Sequence, residues 1–414
     1  MERLQQISNH LFAKPAAGEK KASDVVIVSA YRTALTRGGK GKFKDANSDE
    51  LLMKLVSGLL AKDKIDANLI EEVVVGNVLN PGAGVNEHRA AMLAAGVPAS
   101  SSFLAVNRQC SSGLMAINDI ANKILVGQIK CGLAAGVESM SKNYGPQAAP
   151  KISKCVQDAS YDAKSCLLPM GTTSENVNEK YHISREEQDE FAAASYQKAE
   201  KAVKTGLFKD EILPIEVEIE HGDDDDEDEV TRETVIVATD EGTRPNVTAQ
   251  SLGKLRPAFK KDGTSHAGNS SQVSDGAAAV LLMRRDMAEQ LGLSILGRYV
   301  ATTTVGVSPD IMGVGPAYAI PKLLKACGLT ADQISVFEIN EAFAGQALFS
   351  IRYNELPLEK VNPRGGAIAL GHPLGTTGAR QVCTLLRELS PGQMGVTSMC
   401  IAGGQGAAAL FIRE

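Results

Sequence analysis

Short runs of aliphatic and β-branched residues alternate with helical periodicity along most of the chain. Four apolar runs in the first part predict buried strands, at residues 25–29, 70–76, 103–106 and 131–137. Three segments between and after them have the spacing of amphipathic helices, at residues 48–62, 87–95 and 114–126. Ser48 stands where a helix N-cap is expected. This alternation is typical of a largely parallel sheet that is covered by helices.

The last part of the chain repeats this order. Residues 296–305 and 334–339 predict strands, and residues 317–326 predict a helix between them. The segments DANLIEEVVVGN (66–77) and TADQISVFEIN (330–340) both run from a helix end through an acidic-flanked strand to an asparagine. We therefore expect an internal duplication that brings the strand ends and glycine-rich turns of both halves to one site.

Residues 143–268 depart from the alternating pattern. A polar helix at 184–205 opens with a Ser184–Glu187 capping box, and an acidic run at 223–229 predicts a solvated loop. The core pattern resumes in an apolar strand, AAAVLLM, that follows this region. The expected division is a first half of residues 24–142 and 269–288, an inserted loop domain of residues 143–268, and a second half of residues 289–414.

The first residues have the form of a targeting signal. Arg3-Leu4, five intervening residues and His10-Leu11 resemble the N-terminal peroxisomal signal, and on a helix the two leucines share one face that a receptor groove could hold. A Pro/Ala/Gly/Lys stretch follows like a linker. We expect residues 1–23 to be a leader that the peroxisomal import receptor reads, with the protein in the peroxisomal matrix.

Composition narrows the classes of function. The 414 residues are 43% hydrophobic and 22% charged, with a net charge of −6, so no electrostatic footprint for nucleic acid is present. No apolar run approaches the roughly 18 residues of a membrane helix, so we expect a soluble protein. The seven cysteines are odd in number and show no CxxC spacing, which favours a reducing compartment and argues against a disulfide framework or a metal site.

Cys110 is the first candidate for chemistry. It lies in the turn NRQCSSG (107–113), between a predicted strand and a predicted helix. Unpaired backbone N–H groups and the helix dipole favour an anion at such a place and lower the pKa of a thiol. On this segment alone, a packed thiol without a chemical role stays a close alternative.

Three more candidate residues lie in turns or at strand ends of the second half. His372 sits in NPRGGAIALGHPLGTTG (362–378), where the density of glycines indicates a backbone folded tightly around a site. Cys400 ends an apolar strand before a glycine turn, and Asn340 ends another strand in NEAFA, where it could hold a water or an oxyanion. A cysteine nucleophile needs a base, and His372 has the best context for one.

Together these four segments resemble the thiolase family, in the family's order and over residues 24–414. The residues around Cys110 and the leader resemble the peroxisomal, degradative branch, most of all its fungal members. The resemblance implies an α/β thiolase fold, with two duplicated halves in a five-layer αβαβα core and an inserted loop domain. It also implies a homodimer.

The resemblance further implies a role for each residue. Cys110 takes the place of the nucleophile, His372 that of its base, and Cys400 that of the second thiol, the acid/base at the α-carbon of the substrate. Asn340 binds the thioester oxygen through a water together with the histidine, and the backbone N–H groups of Cys110 and Ala402 form another oxyanion hole. Glycine is common in the family where Ala402 stands, and a positive φ there would strain alanine by roughly 1 kcal/mol.

The implied reaction is thiolytic cleavage of 3-ketoacyl-CoA by CoA in fatty acid β-oxidation, with CoA as a substrate and no permanently bound cofactor. Positions that match the CoA- and substrate-binding residues of the family are Met170, Arg244, Ser251, Ala258, Phe259, Ser271 and Phe343. An acetoacetyl-CoA thiolase that runs the Claisen condensation, and a non-catalytic acyl-CoA or lipid carrier of the same fold, stay open as alternatives. Chain-length preference and the choice between dimer and tetramer are not determined by the sequence.

Overall fold

The computed structural model describes residues 20–221 and 231–414, and the statements below concern those residues. The predicted targeting signal (Arg3, Leu4, His10 and Leu11) lies outside the described residues, and so does the acidic run at 223–229.

The secondary structure follows the predicted alternation. In chain order the strands are β1 (Val25–Arg32), β2 (Thr36–Arg37), β3 (Glu72–Gly76), β4 (Ser102–Val106), β5 (Cys131–Ser139), β6 (Ile215–His221), β7 (Thr231–Val237), β8 (Ser274–Arg284), β9 (Gly297–Gly306), β10 (Val336–Ile339), β11 (Met394–Ile401) and β12 (Gln405–Arg413). The α-helices are α1 (Ser48–Lys62), α2 (Val85–Ala94), α3 (Ser112–Leu125), α4 (Met140–Asn143), α5 (Lys154–Ala159), α6 (Tyr161–Ser165), α7 (Met170–Lys180), α8 (Arg185–Lys204), α9 (Ala249–Leu252), α10 (Arg285–Gln290), α11 (Gly315–Cys327), α12 (Ala344–Tyr353), α13 (Ala367–Leu370) and α14 (Thr377–Glu388).

The two halves carry the same sheet, which confirms the expected duplication. The strand order is β1-β8-β5-β3-β4 in the first half and β9-β12-β11-β10 in the second, and Val361 pairs with Phe337 where the first half has β4. A short antiparallel pairing of β1 with β9 joins the sheets of the two halves edge to edge. The prediction of a largely parallel sheet is wrong, because β8 and β12 are antiparallel to both of their neighbours. Apolar runs report burial on both faces of a sheet, and they do not report strand direction.

The duplication extends to single positions. The letters GAAA begin at Gly276 in β8 and at Gly406 in β12. Gly276 pairs with Glu138 of β5, and Gly406 pairs with Cys400 of β11. Glu138 and Cys400 therefore occupy equivalent places in the two halves, although their side chains have different chemistry.

Helices α3 and α14 lie between the two sheets, while α1 covers the outer face of the first sheet and α11 that of the second. The result is five layers in the order αβαβα. The central layer is held by buried apolar side chains of both helices and of both sheets, among them Ile117, Ile120, Val382, Leu386, Ile27, Val74, Met399 and Phe411. Burying each such side chain contributes roughly 1.5–3 kcal/mol, so this packing fixes the two helices relative to each other.

The N-termini of α3 and α14 meet at the centre of the molecule. A Cβ atom on Gly378 would lie 2.4 Å from the backbone nitrogen of Leu114, and one on Gly113 would lie 2.6 Å from the carbonyl oxygen of Gly375. Only glycine permits such an approach of two backbones. The turns that precede both helices are therefore brought to one place.

The inserted segment between β5 and β8 has the predicted polar helix, α8. Its capping box is confirmed, because the Ser184 hydroxyl accepts from the Glu187 N–H (3.2 Å) and the Glu187 carboxylate accepts from the Ser184 N–H (2.8 Å). The N-cap prediction for α1 is wrong by one residue: Asn47 is the N-cap, and the Ser48 hydroxyl bonds to a histidine ring instead. The proposed limits of the inserted domain, 143–268, stay a prediction.

Within the described ranges, no helix combines the length and the apolarity that crossing a bilayer requires.

The contact between α3 and α14 predicts the effect of a single methyl group. Gly378→Ala should lower the free energy of unfolding by about 2 kcal/mol, because the new Cβ displaces the α3 backbone. Urea denaturation measures this change. Gly306→Ala is the matched control, since a Cβ at Gly306 meets no atom of the described residues within 4 Å. Equal stability of the two variants would contradict the packing argument.

Candidate active site

Cys110 lies two residues before α3, in a turn that its own side chains brace. The Asn107 Oδ1 atom accepts from the Gln109 N–H (2.9 Å), and the Ser112 hydroxyl accepts from the Arg108 N–H (2.9 Å). Gln109 has a φ of +48°, which is uncommon for a residue other than glycine and costs about 1 kcal/mol or more. This conformation fixes the direction of the backbone between the end of β4 and Cys110.

The Cys110 thiol is half-buried, and the backbone N–H groups of Ala402 and of Cys110 itself favour its thiolate form. The pKa of this thiol is raised to about 11: burial is the main cause, the two N–H groups oppose it, and the charge of Glu138 adds a smaller rise. The expectation that the pKa of Cys110 is lowered at the helix N-terminus is therefore wrong for the net pKa. The loss of solvent around the thiol has a larger effect than the backbone groups that stabilise the thiolate.

Ala402 carries no backbone strain of the kind that the sequence left in question. In its turn, positive φ occurs at Gly403 (80°) and Gly404 (86°), while Ala402 is not among the described residues with positive φ. Alanine therefore leaves the N–H donor at this position as available as glycine would.

His372 is buried in the loop before α14, and its hydrogen bonds assign the tautomer. Its Nδ1 lies 2.6 Å from the Thr377 hydroxyl, which itself donates to the carbonyl of Pro373 at 2.9 Å. Nδ1 therefore carries the proton, and Nε2 is the acceptor nitrogen, to which the Asn340 amide donates at 3.3 Å. Burial, together with the charge of Arg380, lowers the pKa of His372 to about 3, so the ring is neutral.

Asn340 and Cys400 complete a group of four side chains. Asn340 is fully buried at the end of β10, and its Oδ1 has no hydrogen-bond partner among the described residues. A buried acceptor of this kind suits a substrate atom or a bridging water. Cys400 is 1% exposed at the end of β11, and burial together with the neighbouring Cys110 raises its pKa. The four candidates from the sequence are thus brought together.

Several predicted substrate-binding residues lie beside this group. Phe343 packs in a small cluster with Cys400, and Met170 packs against that cluster. The rings of Phe259 and Phe343 meet edge to face at 5.9 Å. Ser271 donates its N–H to the carbonyl of the residue before Phe343, at 2.9 Å. These residues form an apolar wall with one polar turn, which suits an acyl chain and a pantetheine amide.

The remaining three predicted binding residues, Arg244, Ser251 and Ala258, are exposed on the inserted segment. The Ser251 hydroxyl donates to the Thr248 carbonyl (2.7 Å) and so helps to cap α9. The structure does not bring these three into the group around Cys110, and their role in binding CoA stays a prediction.

Sequence reasoning missed Thr377, which holds the proton-bearing nitrogen of His372. The available signal was a hydroxyl residue five positions after the histidine, at the first position of a helix. It missed Glu138 as well, because a buried carboxylate in the apolar strand β5 has no motif of its own.

Comparison with known proteins decides the family. The chain matches the model of the thiolase N-terminal domain over residues 25–286 and that of the thiolase C-terminal domain over residues 293–413. The chain belongs to the thiolase family. This thiolase is 57% identical to the peroxisomal 3-ketoacyl-CoA thiolase of Yarrowia lipolytica over 421 residues, which cover 100% of both chains.

Two solved structures of thiolases from Saccharomyces cerevisiae are similar to the structure of this thiolase. The 1.8 Å crystal structure of a dimeric peroxisomal thiolase superimposes with a TM-score of 0.90 at 58% identity, over 97% of this chain and 100% of that chain. A 2.8 Å structure of peroxisomal 3-ketoacyl-CoA thiolase matches with a TM-score of 0.80 at 55% identity, over 96% and 99% of the two chains. The latter is described as five layers built from two core domains of identical topology, which is the arrangement found here.

The contact between Thr377 and His372 predicts a slower nucleophile. Thr377→Val should reduce the rate at which iodoacetamide alkylates Cys110 by about tenfold, because a buried Nδ1–H without an acceptor favours the tautomer that blocks Nε2. Mass spectrometry of the Cys110 peptide measures the rate. Thr376→Val is the control, since the buried Thr376 hydroxyl donates to the carbonyl of Gly276 (2.7 Å) and not to the histidine. An equal effect of both variants would refute the assigned tautomer.

Proposed function

We propose that this thiolase is an acetyl-CoA C-acyltransferase that cleaves 3-ketoacyl-CoA with CoA, giving acetyl-CoA and an acyl-CoA shortened by two carbons in fatty acid β-oxidation. The observation that carries the proposal is the convergence of Cys110, His372, Asn340 and Cys400 where α3 and α14 begin. The name 3-ketoacyl-CoA thiolase of full-length relatives at 57% identity favours this activity over acetoacetyl-CoA synthesis and over a carrier role.

The first half-reaction breaks the bond between the α- and β-carbons. His372 Nε2 takes the proton of the Cys110 thiol as Sγ adds to the 3-keto carbon, since neither group is charged in the resting site. The Cα–Cβ bond then breaks, and its electron pair forms the enolate of acetyl-CoA. Cys400 donates its proton to the α-carbon of that enolate. The products are acetyl-CoA and an acyl–Cys110 thioester.

The second half-reaction transfers the acyl group to CoA. The Cys400 thiolate takes the proton of the incoming CoA thiol, and the CoA sulfur adds to the acyl carbonyl. The bond to Cys110 breaks, and Sγ recovers a proton from His372. Each thiol ends as it began, so the cycle is balanced without an external acid or base, and ping-pong kinetics follow.

Two sets of donors stabilise the oxygens that become negative. The N–H groups of Cys110 and Ala402 serve the carbonyl that Cys110 attacks, and both already favour the thiolate form of Cys110. His372 and Asn340, acting through a water, serve the thioester oxygen of the enolate. One well-placed donor of this kind lowers the activation free energy by roughly 3–4 kcal/mol.

The partners follow from the same proposal. CoA acts as a substrate, and no cofactor is held permanently. The similar yeast enzyme is dimeric, which supports a homodimer for this chain. The relatives at 48–57% identity are named peroxisomal, which supports the peroxisome as its location. The import receptor is proposed as a partner through the leader.

The proposal predicts distinct defects for the two thiols. With 3-ketoacyl-CoA of several chain lengths plus CoA, the wild type should release acetyl-CoA and Cys110→Ser should not. Cys400→Ala should turn over slowly but still accumulate acyl-enzyme, because acylation by an activated acyl donor needs only Cys110 and His372. Cys327→Ala, at a buried thiol outside the site, is the control. Cleavage by Cys110→Ser, or loss of acylation in Cys400→Ala, would overturn the roles.

The leader predicts a location independently of catalysis. Residues 1–21 fused to a fluorescent protein should direct it to peroxisomes, because the spacing from Arg3-Leu4 to His10-Leu11 matches the signal. Fluorescence microscopy with a peroxisomal marker measures this. The same fusion carrying Leu4→Arg is the control. A diffuse cytosolic signal from the unmodified leader would refute the prediction.

A further inference from the structure

The Glu138 carboxylate, fully buried at the end of β5, is saturated by four N–H donors. Its Oε1 accepts from the Asn77 amide (3.0 Å) and from the Leu79 N–H (3.1 Å). Its Oε2 accepts from the Val78 N–H (3.0 Å) and from the Gly375 N–H (2.9 Å). One carboxylate thus joins the loop after β3 to the loop that carries His372.

The same loop after β3 also holds the nucleophile turn. The Asn107 amide donates to the carbonyl of Val78 at 3.0 Å, and its Oδ1 accepts from the N–H of Gln109, the residue before Cys110. A continuous hydrogen-bonded path therefore runs from the Cys110 turn through Val78 to Glu138, and from Glu138 to the His372 loop. Glu138 reaches both sides of the reacting pair through backbone groups.

The duplication gives a reason for a carboxylate at this position. Glu138 stands in the first half where Cys400 stands in the second, and Asn77 follows β3 as Asn340 follows β10. In the second half, the asparagine and the cysteine belong to the reacting group. In the first half, the equivalent pair bond to each other and to the two loops. One copy of the strand-end pair is therefore used for chemistry and the other for support.

A second buried carboxylate, that of Glu341, has different hydrogen-bond partners from those of Glu138. It accepts from the Asn362 amide (2.8 Å) and from the Ile368 N–H (3.2 Å), so it holds the early part of the His372 loop. Its remaining hydrogen bond is from the Ser195 hydroxyl (2.7 Å), and within the described residues none of these bonds reaches the Cys110 turn. The role of joining the two sides belongs to Glu138 rather than to buried carboxylates of this region in general.

We propose that Glu138 is a positioning residue for the reaction of Cys110, because its carboxylate sets the spacing between the Cys110 turn and the His372 loop. Glutamine cannot replace it: an amide offers one acceptor oxygen and turns an NH₂ group towards two N–H donors. The kinetic part of the test rests on the proposed thiolytic function, and the alkylation part does not.

The test compares Glu138→Gln with Asp240→Asn in the full-length enzyme. Asp240 is also a buried carboxylate, but it binds Arg32 (2.7 and 2.9 Å) and the Leu35 N–H (2.8 Å), neither of which belongs to the Cys110 turn or to the His372 loop. Glu138→Gln should lower the rate of Cys110 alkylation and the kcat of thiolysis by about 100-fold, since a displacement near 1 Å has that effect. The KM for CoA should change less than about twofold, because the CoA-binding loops are untouched.

Asp240→Asn should lose thermal stability without losing alkylation at Cys110, and this separates positioning from general destabilisation. Glu138→Asp, which keeps the charge but is one methylene shorter, should give an intermediate loss. If Glu138→Gln does not fold, Asn107→Ala cuts the same path at Val78 and should slow alkylation in the same direction. Alkylation within twofold of wild type in these variants, or an equal loss in Asp240→Asn, would overturn the inference. Slow alkylation in Glu138→Gln together with a wild type that cleaves no 3-ketoacyl-CoA would refute the proposed function and leave the positioning role standing.

Discussion

The contact between the N-termini of α3 and α14 is the constraint on which the rest of the structure depends. Gly113 and Gly378 let the two backbones meet without intervening side chains, and the apolar central layer holds both helices in that position. Each helix begins directly after a turn that carries a reactive residue. Because the two turns come from opposite halves, neither half could form the site alone.

The two reacting side chains of this site, Cys110 and His372, are uncharged before the substrate binds. Burial raises the pKa of the Cys110 thiol and lowers that of His372, so the pair holds a neutral thiol and a neutral imidazole. The hydrogen bond to Thr377 holds the proton on Nδ1, so that Nε2, the nitrogen beside the Asn340 amide, keeps the lone pair. Charge therefore develops only during the reaction, where the preorganised N–H donors can stabilise it without prior rearrangement.

The sequence predicted most strands and helices because a core strand and an amphipathic helix leave different periods in the apolar pattern. It also predicted Cys110, His372, Asn340 and Cys400 as one group, because the four segments that carry them resemble those of the thiolase family and follow in the family's order. It could not predict strand direction, the tautomer of His372 or the net pKa of Cys110. Those depend on contacts between segments far apart in the chain and on the loss of water around each group.

Apart from the inserted segment, the two halves differ in the length of the connection that leads to the central helix. In the first half residues 107–111 lead from β4 to α3, whereas in the second half residues 362–376 lead from the strand-like pairing at Val361 to α14. The short connection places the Cys110 side chain at the N-terminus of α3. The long connection has enough residues to place the His372 imidazole beside it. Two copies of the first half would bring two cysteine nucleophiles together with no base. The different length of this one connection therefore lets two similar halves supply a nucleophile and its base.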